Sequence, residues 1–234
     1  ASSEVGLPVG ARLKEEIAEA LNFKVDFHEI EGGYREIVDV LRRRAHNAAG
    51  EPAKLQSYLD AARLVSTNMP LALSIDNFLD SHRQNELVAE CGKLAIASCI
   101  LRAEKRSQIY VDSSNIYNTI NFRASKGCYL ARLWQLLSED CTYADLPSRL
   151  AKVNVVSFNY DRCLEHYLFH AVKSFYGASD EQAASALAPL KVFHPYGSVG
   201  KLRWQSTNGA LDYGADPTSD KVNGASKSLR TFTE

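Results

Sequence analysis

The sequence predicts an α/β chain in which a parallel sheet is interrupted by a large helical insertion, from about 34 to 137. Three observations predict it. Val153, Val155, Val156 and Phe158 form a β-branched and aromatic run without Pro or Gly, as a buried parallel strand requires. Leu190-Lys191-Val192-Phe193 reads as a second short buried strand, and between the two lies a helical pattern with Leu164, Leu168 and Ala171 at i, i+4, i+7. From Tyr34 to Leu137, by contrast, the patterns are mainly helical.

Taken in order, the chain opens on A-S-S-E-V-G-L-P-V-G, a small, glycine-containing turn, and becomes helical with Leu13, Ile17 and Leu21. A turn of small residues feeding a helix is how phosphate-binding loops are built, because backbone N–H groups at a helix N-terminus attract anions. The alternative is a terminal segment capped by Ser2 or Ser3. Asn22 to Ile30 is short and mixed. Gly32-Gly33 breaks it before Tyr34, Ile37, Val38, Leu41 and Ala45 mark a second amphipathic helix. Three successive arginines on that helix, Arg42 to Arg44, point in different directions, which favours a solvated face over a phosphate clamp.

Glu51-Pro52 starts another helix with Leu55, Leu59 and Ala62, since Pro is welcome in a first turn. In S-I-D-N-F-L, Ser74 or Asp76 can cap the next. Gln84 to Lys105 is a long helix whose broad apolar stripe takes in Cys91 and, nearby, Cys99, both read as inert core thiols. Asn121 to Ser138 is a further helix, and Pro147 ends the helical block. After the helix containing Glu165, the small residues from Gly177 to Ala188 lead to the second strand. Beyond Trp204 the composition predicts irregular structure or a tail.

At 234 residues, 45% hydrophobic and 24% charged, the composition is that of a soluble globular chain of one large or two small domains. A net charge of −1 excludes general attraction to polyanions, so nucleic acid is not the expected partner. No apolar run approaches the ~18 residues of a spanning helix, and the expected location is cytoplasmic, without membrane attachment. Five cysteines with no C-x-x-C pair suggest neither a disulfide framework nor a four-thiolate zinc site.

Both strands end in polar residues, Asn159-Tyr160-Asp161 and His194-Pro195-Tyr196-Gly197-Ser198, and parallel neighbours would bring these ends together. Asn159 and His194 are 35 positions apart (194 − 159), enough for a crossover connection. Ligands of open α/β sheets bind at the carboxyl ends of strands, and a histidine there, facing an Asn and an Asp, can act as a general base near neutral pH. The local alternatives are a strand-to-helix turn with Asp161 as a cap, and a structural histidine. His166 and His170 have the i, i+4 spacing of zinc ligands, but Glu165 precedes rather than follows the first, and no third ligand is evident.

These segments together resemble a known family. S-S-E-V-G-L-P is similar to the sirtuin start G-A-G-x-S-x-x-x-G-[IL]-P, with Ser2, Gly6, Leu7 and Pro8 in matching places and the G-A-G falling just before Ala1. F-N-Y-D-R-C-L-E resembles the N-Y-D-x-x-x-E form of the sirtuin N-[IV]-D motif, Y-G-S resembles H-G-S, and S-I-D-N-F-L is also similar to a segment of that group. In this order, from residue 1 to about 204, they resemble the sirtuin-like domains of bacterial anti-phage defence, in the NAD-hydrolase branch. There are departures. Pro8-Val9-Gly10-Ala11-Arg12 stands where deacylases carry D-F-R, no cysteine follows Cys163 to build their zinc module, and Tyr196 replaces the expected histidine. If strand residues alternate faces, His194 and Tyr196 point the same way and His194 takes over that role; loss of activity is the other reading.

The resemblance implies a Rossmann-like parallel sheet in a domain from 1 to 204, with 205 to 234 a tail or linker. Its first strand would precede Ala1, in a longer effector. It implies NAD as substrate and no metal, the activity being an NAD glycohydrolase that releases nicotinamide and ADP-ribose and so depletes NAD during infection. Asn159 and His194 would be catalytic, and Ser2, Ser3, Gly6, Leu7, Pro8, Asp161, Gly197 and Ser198 would hold NAD or ADP-ribose. Partners would be further copies of the chain or another defence protein, reached through regions outside these residues. Two alternatives remain: a silent NAD or ADP-ribose sensor, which Tyr196 favours, and a deacylase or ADP-ribosyltransferase, which the missing zinc module disfavours.

Overall fold

Leu13, Ile17 and Ala20 recur on one face of α1 (Ala11–Ala20), and all three are buried. The helix belongs to the first of two units into which the chain divides, Pro8–Arg102 with Asp216–Glu234; the second is Ala1–Leu7 with Ala103–Ala215. The computed structural model describes residues 2–26, 29–47, 51–112, 114–115 and 117–230. After α1 the chain reverses in an antiparallel hairpin of β1 (Phe23–Asp26) and β2 (Glu29–Gly32). Gly33 follows at φ 55°, and a Cβ there would stand 2.3 Å from the Phe23 ring and 2.7 Å from the Ala20 carbonyl. Only glycine lets the chain pass.

The helix α2 (Arg35–His46) buries Ile37, Val38, Val40, Leu41 and Ala45 together with Glu36. Arg102 Nη2 lies 2.8 and 3.0 Å from the two oxygens of Glu36, and Ser98 Oγ donates at 2.5 Å, so the buried carboxylate has a counter-charge and donors. The consecutive arginines do diverge: Arg42 is exposed, Arg43 meets Asp220, and Arg44 meets Glu90 and Asn223, each at 2.7 Å. Next come α3 (Glu51–Asn68), α4 (Ile75–Ser81) and α5 (Glu86–Arg106). Ser74 caps α4, its Oγ accepting from the Asn77 N–H at 3.1 Å. Within α5, Cys91, Leu94, Ala95, Cys99 and Leu101 are all buried, the pattern of an internal helix. Burial pushes the Cys91 thiol up to about 12, and it is inert.

The second unit holds α6 (Tyr129–Ser138), α7 (Leu146–Leu150), β3 (Asn154–Val156), α8 (Cys163–Tyr176), α9 (Asp180–Leu187) and β4 (Lys191–Phe193). The helix α8 packs against α6 and α9 around Leu130, Trp134, Leu164, Tyr167, Leu168 and Leu187. It stops at Gly177, which takes the left-handed conformation of a helix terminus. The chain then returns to the first unit through α10 (Ser219–Ser226), which buries Val222 and Ala225.

The predicted Rossmann-like sheet is not formed. The strands β3 and β4 pair in parallel, Val155 opposite Val192, and the Ser157 N–H donates to the Phe193 carbonyl at 2.8 Å. Each is three residues long, however, and among the described residues no third strand joins them. With 54% helix and 7% strand, in one hairpin and one parallel pair, the chain is mostly helical, and the sirtuin-like description of its fold falls with the sheet. An unbroken apolar run predicts a strand covered on both faces. Here Val153 and Val155 pack on the core, whereas Val156, Phe158 and Phe193 are 57%, 62% and 52% exposed.

Smaller differences have local causes. The helix expected from Asn121 starts only at Tyr129, because residues 121–128 form turns in which Asn121 and Ser125 bond back to nearby backbone groups. Pro147 does not end a helical block; it sits in the first turn of α7. The small-residue stretch after Gly177 contains α9, held by a capping box in which Ser179 and Gln182 each accept from the other's backbone N–H.

Candidate functional site

Because β3 and β4 are parallel neighbours, the segments that leave their carboxyl ends, 157–161 and 194–200, run side by side, tied by the Val199 N–H to the Tyr160 carbonyl at 3.1 Å. After Phe193 the chain turns at once, with Pro195 and Gly197 at the second and fourth positions of a turn closed by the Gly197 N–H on the His194 carbonyl at 3.0 Å. Strand alternation therefore ends before His194, and the premise that His194 and Tyr196 share a direction fails. The His194 ring engages Asn159 and Glu165, while the Tyr196 ring lies 5.9 Å from that of Phe158.

Four residues predicted from separated motifs meet in one hydrogen-bonded chain. Asn159 Nδ2 donates to Ser2 Oγ at 2.8 Å, and Ser2 Oγ donates onward to Asp161 Oδ1 at 3.0 Å. The same oxygen accepts from the Cys163 N–H at 3.1 Å, so Asp161 also serves the open end of α8. Ser2 is fully buried and Asp161 nearly so, whereas Asn159 is half-buried. This order fixes the Asn159 amide: with Nδ2 on Ser2, Oδ1 is the atom left to accept from a ligand. Burial raises the Asp161 pKa above the ordinary carboxylate value, against the opposing pull of its hydrogen bonds from Cys163 and Ser2.

His194 joins from the other side. Its Nδ1 lies 2.9 Å from the Asn159 carbonyl, which can only accept, so Nδ1 carries a proton; its Nε2 lies 2.9 Å from Glu165 Oε1. Burial opposes a charge on the ring, but the hydrogen bond and charge of Glu165, the Asn159 carbonyl and Asp161 outweigh it, and the His194 pKa is raised above 6.5. The arrangement holds an imidazolium with both nitrogens occupied.

Beneath this site lies a buried ion pair. Glu104 accepts from Arg162 three times, from its backbone N–H and Nε at 3.1 Å and from Nη2 at 2.5 Å, and again from the Gly214 N–H at 3.1 Å. Two of the three remaining guanidinium hydrogens reach the carbonyls of Leu211 and Asp212 at 2.8 and 3.0 Å. Arg162, between Asp161 and Cys163, is thereby fixed, and Asp161 with it. Behind it His166 donates to the Ile109 carbonyl at 2.9 Å and stacks on Tyr213 at 3.9 Å; burial holds it neutral, its pKa well below the usual value.

Sequence reasoning gave no role to Glu104, Arg162 and Tyr213, and met Glu165 only as the last residue of the N-Y-D-x-x-x-E segment without assigning it to the site. Their pairings span 29 to 110 residues, beyond any local spacing. Glu165 gave one further signal, an acid in the first turn of an otherwise apolar helix.

The other predicted contacts are more scattered. Ser3 and Gly6 are exposed on a 3₁₀ turn, Ser2–Val5, closed by the Gly6 and Leu7 N–H groups on the carbonyls of Ser3 and Ser2, each at 3.1 Å. Leu7 is a core residue of the second unit, and Pro8, also buried, is assigned to the first. Gly197 closes the turn after His194, and Ser198 Oγ donates to the Gly200 carbonyl at 3.3 Å. Among the described residues, no three His, Cys, Asp or Glu side chains are grouped to hold a metal, and no helix is long and apolar enough to cross a membrane. Comparison with protein families, with curated proteins and with solved structures finds no match to this chain.

Proposed function

We propose that the chain binds NAD and hydrolyses the bond between nicotinamide and ribose. The observation that supports this reading is the meeting of Ser2, Asn159, Asp161 and His194, named by three separate motifs, in one hydrogen-bonded cluster. In the reaction the C–N bond breaks, its electron pair neutralises the pyridinium nitrogen, and water adds to the anomeric carbon and releases a proton. The leaving group already carries positive charge, so positioning matters more than a strong acid. Asn159 Oδ1 accepts from a ribose hydroxyl or the attacking water, Asp161 takes the carboxamide N–H, and His194 receives the proton. It does so only when neutral, with Nε2 released from Glu165, so turnover should fall as pH drops through its raised pKa.

A second reading is a silent NAD or ADP-ribose binder, favoured by the engagement of both His194 nitrogens. The wider role, NAD depletion by an assembled effector in a cell under phage attack, rests on the residue resemblance alone. The test is nicotinamide release from NAD, measured on the purified chain and on the natural gene product. Asn159→Ala and His194→Ala should each lose ~10²–10⁴ in rate while remaining folded, and Tyr196→Phe should keep most of it. Equal turnover with Asn159→Ala would reject this site; tight NAD binding without turnover in the intact protein would select the second reading.

A further inference from the structure

Two histidines of α8, His166 and His170, take no part in the candidate chemistry, and their rings lie 4.6 Å apart in the second unit. His166 is buried and His170 half-buried. The His166 ring is clamped between two other stretches of chain: Nε2 is 2.9 Å from the Ile109 carbonyl, and the ring centre is 3.9 Å from that of Tyr213, within 8° of parallel. Tyr213 is itself fixed, its hydroxyl 3.1 Å from both Cys163 Sγ and Ser107 Oγ. A carbonyl only accepts, so Nε2 holds the one proton of the neutral ring, and a second must go to Nδ1. The surroundings do not welcome that charge. Arg162 precedes His166 by one turn of α8, and Lys173 follows His170. Glu104 of α5, Glu165 of α8 and Asp180 of α9 are already paired, with Arg162, His194 and Lys173. Cys163 and Tyr213, their pKa values pushed up by burial, stay uncharged. Burial, then the charge of His170 and that of Arg162, holds His166 well below the ordinary 6.5; burial and Lys173 bring His170 down to about 4, against the pull of Asp180.

We propose that this pair is an acid-released latch: as protons enter the two rings they repel each other and Arg162, and α8 lets go of Tyr213 and of the Ile109 carbonyl. The candidate cluster loosens with it, because Asp161 is bonded to the Cys163 N–H at the start of α8 and Cys163 to Tyr213. The latch does not depend on the NAD reading. It also acts in the opposite sense to His194. Histidines held neutral in the fold contribute stability that is fully present above 6.5 and is lost as pH falls below it towards their lowered folded values.

Histidine-ring NMR and amide hydrogen exchange on the intact chain test the latch. The His166 and His170 rings, assigned by His166→Phe and His170→Phe, should still be neutral in the folded chain at about pH 5.5, where a free histidine is about nine-tenths charged. Protection of the α8 amides, corrected for intrinsic exchange, should fall between about pH 7 and pH 5 by about 20-fold for each histidine that opens, the factor set by the lowered values. Each Phe variant keeps a ring in place and should remove one such factor. Should His166→Phe not fold, His170→Phe, at the less buried position, decides by itself. The inference is overturned if either ring titrates near 6.5 in the folded chain. It is equally overturned if α8 protection changes by less than about threefold over that range, or if the folded variants lose protection as steeply as the parent.

Discussion

Removing the Glu104 side chain should destabilise the second unit severely, because one carboxylate serves a whole set of buried donors. Glu104→Ala leaves four of them without their acceptor: the Arg162 N–H, its Nε and one Nη2 hydrogen, and the Gly214 N–H. At the lower figure of ~1 kcal/mol for each stranded donor the loss is about 4 kcal/mol. That agrees with the ~3–5 kcal/mol measured when one partner of a buried ion pair is removed, and both side chains here are essentially inaccessible. Urea unfolding followed by tryptophan fluorescence reads the right unit, since Trp134 and Trp204 both lie in it. The midpoint should fall with the slope unchanged. Replacing both partners, Glu104→Leu with Arg162→Met, should lose less than Glu104→Ala alone, because no orphan charge remains. A loss below about 1 kcal/mol for Glu104→Ala, or additive losses in the double variant, would refute the network.

Further consequences follow from the site and its supports. Ser179→Ala should destabilise by ~1 kcal/mol in the same urea assay and Ser179→Gly by a few tenths, as expected for an N-cap; equal effects would count against the capping box. The stability that His194 adds over His194→Gln should be fully present below its ordinary value of 6.5 and lost as pH rises through its raised folded pKa. Unfolding of both proteins from about pH 5 to 9 measures this, and a difference that grows with pH would show that Glu165 does not hold a charged ring. On the side of function, nicotinamide release should show its acid limb above the ordinary histidine value; a limb at or below it would remove His194 as the base.

The helices α1 to α3 are legible in the sequence through apolar residues recurring at helical spacing, α4 through its Ser74 cap, and α5 through a long, broad apolar stripe. Ser179 and Gln182 give an equally local signal for α9, three positions apart, but the alanines before and after them have the composition of a linker. The α10 segment, S-D-K-V-N-G-A-S, has poor intrinsic propensity and is helical through the burial of Val222 and Ala225, which no local pattern announces. The strand run at Val153 misleads for a different reason. Periodicity reports what a residue would do if covered, and cannot say that Val156 and Phe158 are not. The site is legible in its ends, Ser2, Asn159, Asp161 and His194, because motif order places them. Its supports, Glu165 on His194 and Glu104 on Arg162, are single residues inside helices whose partners lie far along the chain.

The burial of every cysteine gives the molecule a set of internal clocks. None of the five thiols can meet a reagent while its surroundings stay closed, so each labelling rate measures a local opening and not intrinsic reactivity. Cys91 and Cys99 time the first unit; Cys128, Cys141 and Cys163 time the second. Cys163, at the start of α8 beside Asp161, times the candidate site itself. A ligand that closes that site should stop this one clock and leave Cys91 running.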